Sequence, residues 1–151
     1  MRRWSLALLF LWLLPVPALA QVASPDAVAP AFVAAWNAHD AAAFERLYSE
    51  DATWVPVAEE RTQGRDAIVR EFASIHGSGG WASRSMIALK GTPEIHRLRR
   101  DVVTLFFHMD FIRDGKPVPG LQRALILVAT SDRDGWRIAA GQLTKESVPA
   151  N

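Results

Sequence analysis

The sequence predicts an α+β fold: a curved, mostly antiparallel sheet wrapped over three N-terminal helices, a cone with one pocket. Two observations predict it. Short stretches between Asp26 and Ile75 repeat apolar side chains at helical spacing, whereas from Trp81 the apolar period switches to two. Two Asp-Gly pairs, Asp114-Gly115 and Asp134-Gly135, then mark tight reversals between strand patterns. Helices first and strands afterwards is the order of a layered α+β domain, not of alternating parallel units.

The first twenty residues stand apart from that fold. Arg2 and Arg3 precede an apolar run from Leu6 to Val16, and Ala18-Leu19-Ala20 supplies small residues ahead of Gln21. This is the layout of a secretory signal peptide cut between Ala20 and Gln21. The run is shorter than the roughly 20 apolar residues of a membrane helix, so no membrane association is expected after cleavage. Residues 21–27 read as a tether and 28–147 as one domain. Losing residues 1–20 changes the formal charge from +1 to −1, with 15 basic and 16 acidic side chains left. That near-neutral chain has no electrostatic footprint for nucleic acid. It has no cysteine, so in an oxidising periplasm or outside the cell its stability rests on packing.

Each element has its own signal. Val28, Phe32, Ala35 and Trp36 form the first helical stripe, and Asn37-Ala38-His39-Asp40 breaks it. Asp40 is placed to cap a second helix bearing Phe44, Leu47 and Tyr48. A short strand over Asp51 to Val57 is ended by Pro56 and an acidic loop containing Glu59 and Glu60. Gly64-Arg65-Asp66 opens the third helix, with Ile68, Phe72 and Ile75 inward and Arg70 and Glu71 toward solvent. Gly77-Ser78-Gly79-Gly80 stops it and reads as the most flexible stretch of the mature chain. Strands are expected near 81–90, 94–98, 102–112, 119–130 and 136–146.

The hairpin signals set a register. Asp114-Gly115 as a turn pairs Arg113 with Lys116, His108 with Leu121 and Phe106 with Arg123; Asp134-Gly135 pairs Leu127 with Gln142 and Arg123 with Glu146. Alternation then places Phe106, His108, Asp110, Arg123, Trp136 and Gln142 on the pocket face. Val103, Leu105, Phe107, Met109 and Phe111, with Ile126 and Leu143, take the other face. A single bulge exchanges the two sets. Both faces are apolar at their centres and the helices cover only one, so a homodimer through the outer sheet face is expected.

Several segments together resemble the nuclear transport factor 2-like superfamily, in its SnoaL-like and SgcJ/EcaC-type branches. They are Phe32-Val33-Ala34-Ala35-Trp36-Asn37-Ala38-His39-Asp40, Asp51-Ala52-Thr53-Trp54-Val55-Pro56, Gly64-Arg65-Asp66-Ala67-Ile68 and Gly135-Trp136-Arg137-Ile138-Ala139-Ala140-Gly141-Gln142. The resemblance implies a cone with a deep pocket and usually a dimer. Steroid isomerases of this fold carry a base Asp just before the Pro of the first strand, where this chain has Val55. In the SgcJ/EcaC-type branch the last strand often reads Gln-Asn-Thr; here it is Gln142-Leu143-Thr144.

Candidate chemistry centres on His108 and Asp110, two apart on a strand and roughly 7 Å from each other along it. In a dry pocket either could act as a base; the alternative is a solvated Asp110 with His108 packed beneath it. Arg123 on an apolar face is read either as an anchor for a ligand carboxylate or enolate or as the partner of Glu146 or Asp110. Gln142 could orient a ligand through its amide, and Trp54, Trp136 and Phe106 are read as pocket wall. The four histidines are scattered without metal-ligand spacing, and neither a nucleophile elbow nor a phosphate-binding glycine fingerprint is present. No metal or cofactor is therefore expected. Three functional readings follow: a secreted protein binding a small, partly apolar organic molecule, a cofactor-free acid/base enzyme of isomerase, dehydratase or cyclase type, and an envelope interaction module.

Overall fold

The computed structural model describes residues 22–58 and 60–146. The predicted signal peptide, Glu59 and Ser147 lie outside the described residues. A 3-10 turn over Pro25–Ala27 leads into α1 (Val28–Ala38), α2 (Ala41–Leu47), β1 (Tyr48–Val55), β2 (Thr62–Gln63) and α3 (Arg65–His76). Then come β3 (Met86–Arg99), β4 (Val102–Arg113), β5 (Lys116–Pro117), β6 (Arg123–Asp132) and β7 (Gly135–Lys145). The fold is α+β, as the sequence predicts. One mixed sheet runs β2-β1-β7-β6-β4-β3, with β5 appended to β4. Only the β1–β7 contact is parallel.

The helices form where their stripes and caps place them. Val28, Phe32, Ala35 and Trp36 are all buried on α1. Pro30 sits in its first turn, where the missing N–H has no intrahelical partner to lose. His39 ends α1 in the left-handed region at φ 51°, and the Asp40 carboxylate accepts from the Ala42 N–H at 3.0 Å to cap α2. The core joins these helices to α3 and β1 through aromatic rings. Phe44 stacks on Phe72 at 4.0 Å, and Phe32 meets Phe72 edge-on at 6.2 Å. Burying each such ring contributes about 2–3 kcal/mol.

Two segments are held more firmly than the sequence suggests. The residues read as a tether dock on the sheet: Trp136 N–H donates to the Val22 carbonyl at 2.9 Å, and Pro25 is buried. The glycine-rich stretch is a chain of hydrogen-bonded turns. Gly80 N–H donates to the Gly77 carbonyl, and Ala82 N–H to the Ile75 carbonyl at 3.0 Å. A Cβ on Gly80 would lie 2.2 Å from the Ile75 carbonyl oxygen, so close packing explains this glycine better than flexibility does.

The strand register departs from expectation in two places, and both changes matter for the site. The β4–β5 hairpin pairs Arg113 with Lys116 as expected. Val118 N–H still donates to the Phe111 carbonyl at 2.8 Å; the chain then leaves the ladder in a turn, with Leu121 N–H on the Val118 carbonyl and Gly120 at φ +76°. As a result His108 pairs with Ala124 rather than Leu121, and Met109 with Arg123. A shift of three is odd, so it reverses which β4 side chains share a face with β6. Val103, Leu105, Phe107, Met109 and Phe111 are the buried, helix-facing set, alongside Leu125, Leu127 and Ala129 of β6.

At the next hairpin the two-residue loop is Arg133-Asp134, so Asp132 pairs with Gly135. A bulge near Ala139 then shifts the ladder by one more step, pairing Leu127 with Gly141, Ile126 with Gln142 and Arg123 with Lys145. Leu143 therefore turns inward and Gln142 outward. Gly141 is required at this crossing: a Cβ there would sit 2.8 Å from Leu127 and 2.9 Å from the Trp54 ring. The two strands expected near 81–90 and 94–98 are one strand, β3, bent between Lys90 and Glu94 around Gly91 at φ +79°.

Candidate ligand cavity

Between the helix layer and the concave side of the sheet lies a cavity of about 710 Å³. Trp36, Trp54, Phe72, Trp81 and Phe111 make its aromatic wall, and Ile75, Leu121 and Leu143 complete the apolar lining. Its polar groups are few: Glu60, Thr62, Glu71 and Arg123. An apolar cleft of this size with a handful of polar groups is the usual form of a small-molecule site. Trp81 stands at it 56% exposed, packed on Trp36 at 5.8 Å and on Phe111 at 5.9 Å.

Of the residues expected at a pocket, the structure brings two together here, Trp54 and Arg123. The remainder lie elsewhere. Phe106, His108, Asp110 and Gln142 are on the outer face of the sheet, because the three-residue turn and the β7 bulge reverse the parity assumed for them. His108 is ion-paired with Glu146, the side chain expected to face Arg123, and packs edge-on against Phe106 at 5.0 Å. Trp136 lines a separate groove of about 470 Å³ with Arg46, Asp134 and the alanines of α1. The Arg97 guanidinium lies 5.9 Å from its ring.

Arg123 begins β6 at the edge of the cavity. Its Nη1 donates to the Gln122 carbonyl at 2.7 Å and weakly to the Gly120 carbonyl at 3.5 Å, and its Cζ lies 5.9 Å from the Phe111 ring centre. No carboxylate pairs with it among the described residues. Burial lowers its pKa from the ordinary guanidinium value, the direction expected of a cation drawn from water.

Glu71 is the polar residue that the helical reading assigned to solvent. It is half-buried, and its Oε2 accepts from Thr62 Oγ1 at 2.7 Å. The signal was present in the spacing: Ile68, Glu71, Phe72 and Ile75 occupy i, i+3, i+4 and i+7, so Glu71 falls within the apolar stripe. Behind this wall the Tyr48 hydroxyl is fully buried without a hydrogen-bond partner. Burial first, and the Glu71 charge second, push its pKa well up, so it stays protonated.

A further polar contact borders the cavity at Trp36. His39 Nδ1 and His76 Nδ1 are 2.8 Å apart, so one ring donates and the other accepts. His76 is 7% exposed and packs edge-on against Trp36 at 4.5 Å. Burial, then the neighbouring His39, lower its pKa to about 4. Among the described residues no three His, Asp or Glu side chains converge in a way that could hold a metal ion.

A helix-covered mixed sheet enclosing one mainly apolar cavity defines a class, and comparison with known proteins agrees with it. Residues 29–119, more than half of the chain, match the family model of the SnoaL-like domain. The chain belongs to that family. A Nostoc punctiforme domain of unknown function with a cystatin-like fold superposes with a TM-score of 0.73 at 15% identity, over 82% of this chain and 76% of that one. A nuclear transport factor 2-like protein from Salmonella enterica gives 0.64 at 15% identity, over 83% and 90%. A ketosteroid isomerase-like protein from Erwinia carotovora gives 0.63 at 18% identity, over 81% and 93%. At these identities the likeness is one of fold. No curated protein matches the sequence.

Proposed function

We propose that this is an exported protein, periplasmic or secreted, whose cavity binds a small, partly apolar organic anion held at Arg123. One observation carries the reading: a guanidinium without a carboxylate partner among the described residues borders a mainly apolar cavity with an aromatic wall. Drawing a cation out of water is costly unless an opposite charge joins it, and a ligand carboxylate supplies that charge in bidentate geometry. The cofactor-free acid/base reading, to which the isomerase-like neighbour lends interest, keeps Arg123 as the oxyanion holder. It does not have His108 or Asp110 in the cavity, so binding without chemistry is the simpler function. A second copy of the chain covers the outer face, where Ala124, Ile126 and Val128 present a continuous apolar strip along central β6.

The test is native mass spectrometry of the protein from its host's envelope fraction, followed by calorimetric titration with aromatic carboxylic acids. A dimer carrying a stoichiometric organic adduct, starting at Gln21, is the expected species. Arg123→Leu should weaken carboxylate binding at least tenfold while leaving a neutral amide analogue unaffected. Absence of saturable binding by every apolar acid would sink this function, and a stable complex with a different protein would favour an interaction module.

A further inference from the structure

The cavity holds carboxylates, Glu60 and Glu71, that anion binding leaves unused. Glu71 and Arg123 line the same mainly apolar space, where opposite charges would normally pair. They do not. The ion pairs among the described residues are Arg46 with Asp40 and His108 with Glu146. Glu71 is held instead by the Thr62 hydroxyl and Arg123 by the backbone carbonyls of Gln122 and Gly120, while Glu60, the other carboxylate of the lining, makes no ion pair among the described residues. A positive and a negative group therefore line one cavity without closing an ion pair on each other.

Thr62 leaves Glu71 with capacity to spare. Its hydroxyl occupies Oε2, and Oε1 takes no hydrogen bond from any described residue. An ionised carboxylate only accepts, so what it lacks is a donor. Phe72 and Ile75 flank Glu71 on α3, the Trp36 indole N–H is already committed to the Ser85 carbonyl at 3.3 Å, and the buried Tyr48 hydroxyl, which feels the Glu71 charge, makes no hydrogen bond to it.

We infer that Glu71, oriented by Thr62, receives a hydrogen-bond donor of the ligand, so that the ligand is an apolar acid with a hydroxyl or ammonium group away from its carboxylate. Resting on the anion-binding function above, this narrows the ligand class. The carboxylate meets Arg123, the donor meets Glu71 Oε1, and the hydrocarbon body lies against Trp36, Trp54 and Phe72. Thr62 is a positioning residue, touching the ligand only through Glu71.

The test is calorimetric titration of the mature protein with phenyl- and cyclohexylalkanoic acids of increasing length. Each is used as the parent acid and with a terminal hydroxyl, methoxy or aminomethyl group. The hydroxyl or aminomethyl compound is expected to bind at least tenfold more tightly than the parent and methoxy compounds, the size of a charge-assisted hydrogen bond away from water. In Glu71→Ala that preference should shrink to within twofold, with parent-acid affinity kept. Glu71→Gln separates the two donors, since a neutral amide still accepts from a hydroxyl but loses the attraction for an ammonium. Thr62→Val should reduce the preference with an unchanged melting temperature.

Equal affinities across each series, with Arg123→Leu still weakening all of them, would overturn the role of Glu71 and leave anion binding intact. A donor preference that survives in Glu71→Ala would overturn it as well. If no acid binds and Arg123→Leu behaves as wild type, anion binding itself fails, and the narrower ligand class fails with it.

Discussion

The two faces of the sheet use the same central strands and bury different things. On the concave side Leu105, Phe107, Met109, Leu125 and Leu127 are fully packed against the helices, and beyond them the aromatic cavity opens beside Arg123 and Glu71. On the convex side Phe106 and His108 are half-buried and Ile126 is 45% exposed. Alternation makes the faces complementary, so every residue gained by one is lost by the other. The concave face accordingly carries the folding core and the cavity, and the convex face leaves apolar side chains partly exposed.

The sharpest way to break that comparison is to truncate one ring on each side. Phe72→Ala removes a ring from the stacked core and should cost about 3–5 kcal/mol in urea unfolding. Phe106→Ala on the convex side should cost the protomer under about 1 kcal/mol, as expected for a partly exposed site. Equal losses would mean that the convex face is also part of the folding core.

The helix side carries a pH dependence at His76. His76 titrates at about 4 when folded and near 6.5 when unfolded, so between those values the unfolded chain binds more protons. The contribution of neutral His76 to stability is fully present above pH 6.5 and is lost as the pH drops toward 4. His76→Gln should flatten this part of the urea-stability profile measured at pH 7 and pH 4.5. An unchanged slope would mean that His76 is not the group responsible.

The smallest expected effect on the fold is on the convex side. Ile126→Glu places a charge on the exposed apolar strip and should convert the proposed dimer to monomer in light scattering. Melting of the protomer should change by less than about 0.5 kcal/mol, as for other surface substitutions. A dimer that persists would remove the convex face as the interface.

Much of the architecture was legible because it depends on local chemistry. The Asp40 cap, the stripe of Val28, Phe32 and Trp36, the Gly64 and Gly77 limits of α3 and the Asp114-Gly115 hairpin each need only a few neighbouring residues. The site was less legible. Trp54 and Arg123 line the cavity, whereas Phe106, His108, Asp110 and Gln142, expected at the pocket, lie on the outer face, and Trp136 lines another groove. Glu71 was overlooked because charge was weighted above its position in the apolar stripe.

The sequence by itself determined the α+β class, the order of the elements, the helix caps and the presence of one residue, Arg123, whose charge is out of keeping with its strand. The tertiary structure alone decided which side chains share the cavity. The physical reason is parity: strand side chains alternate with period two, so three residues set aside between Val118 and Gln122 and one bulge near Ala139 exchange whole faces. Such insertions leave propensity and hydrophobic pattern almost untouched, and only the pairing of distant strands reveals them.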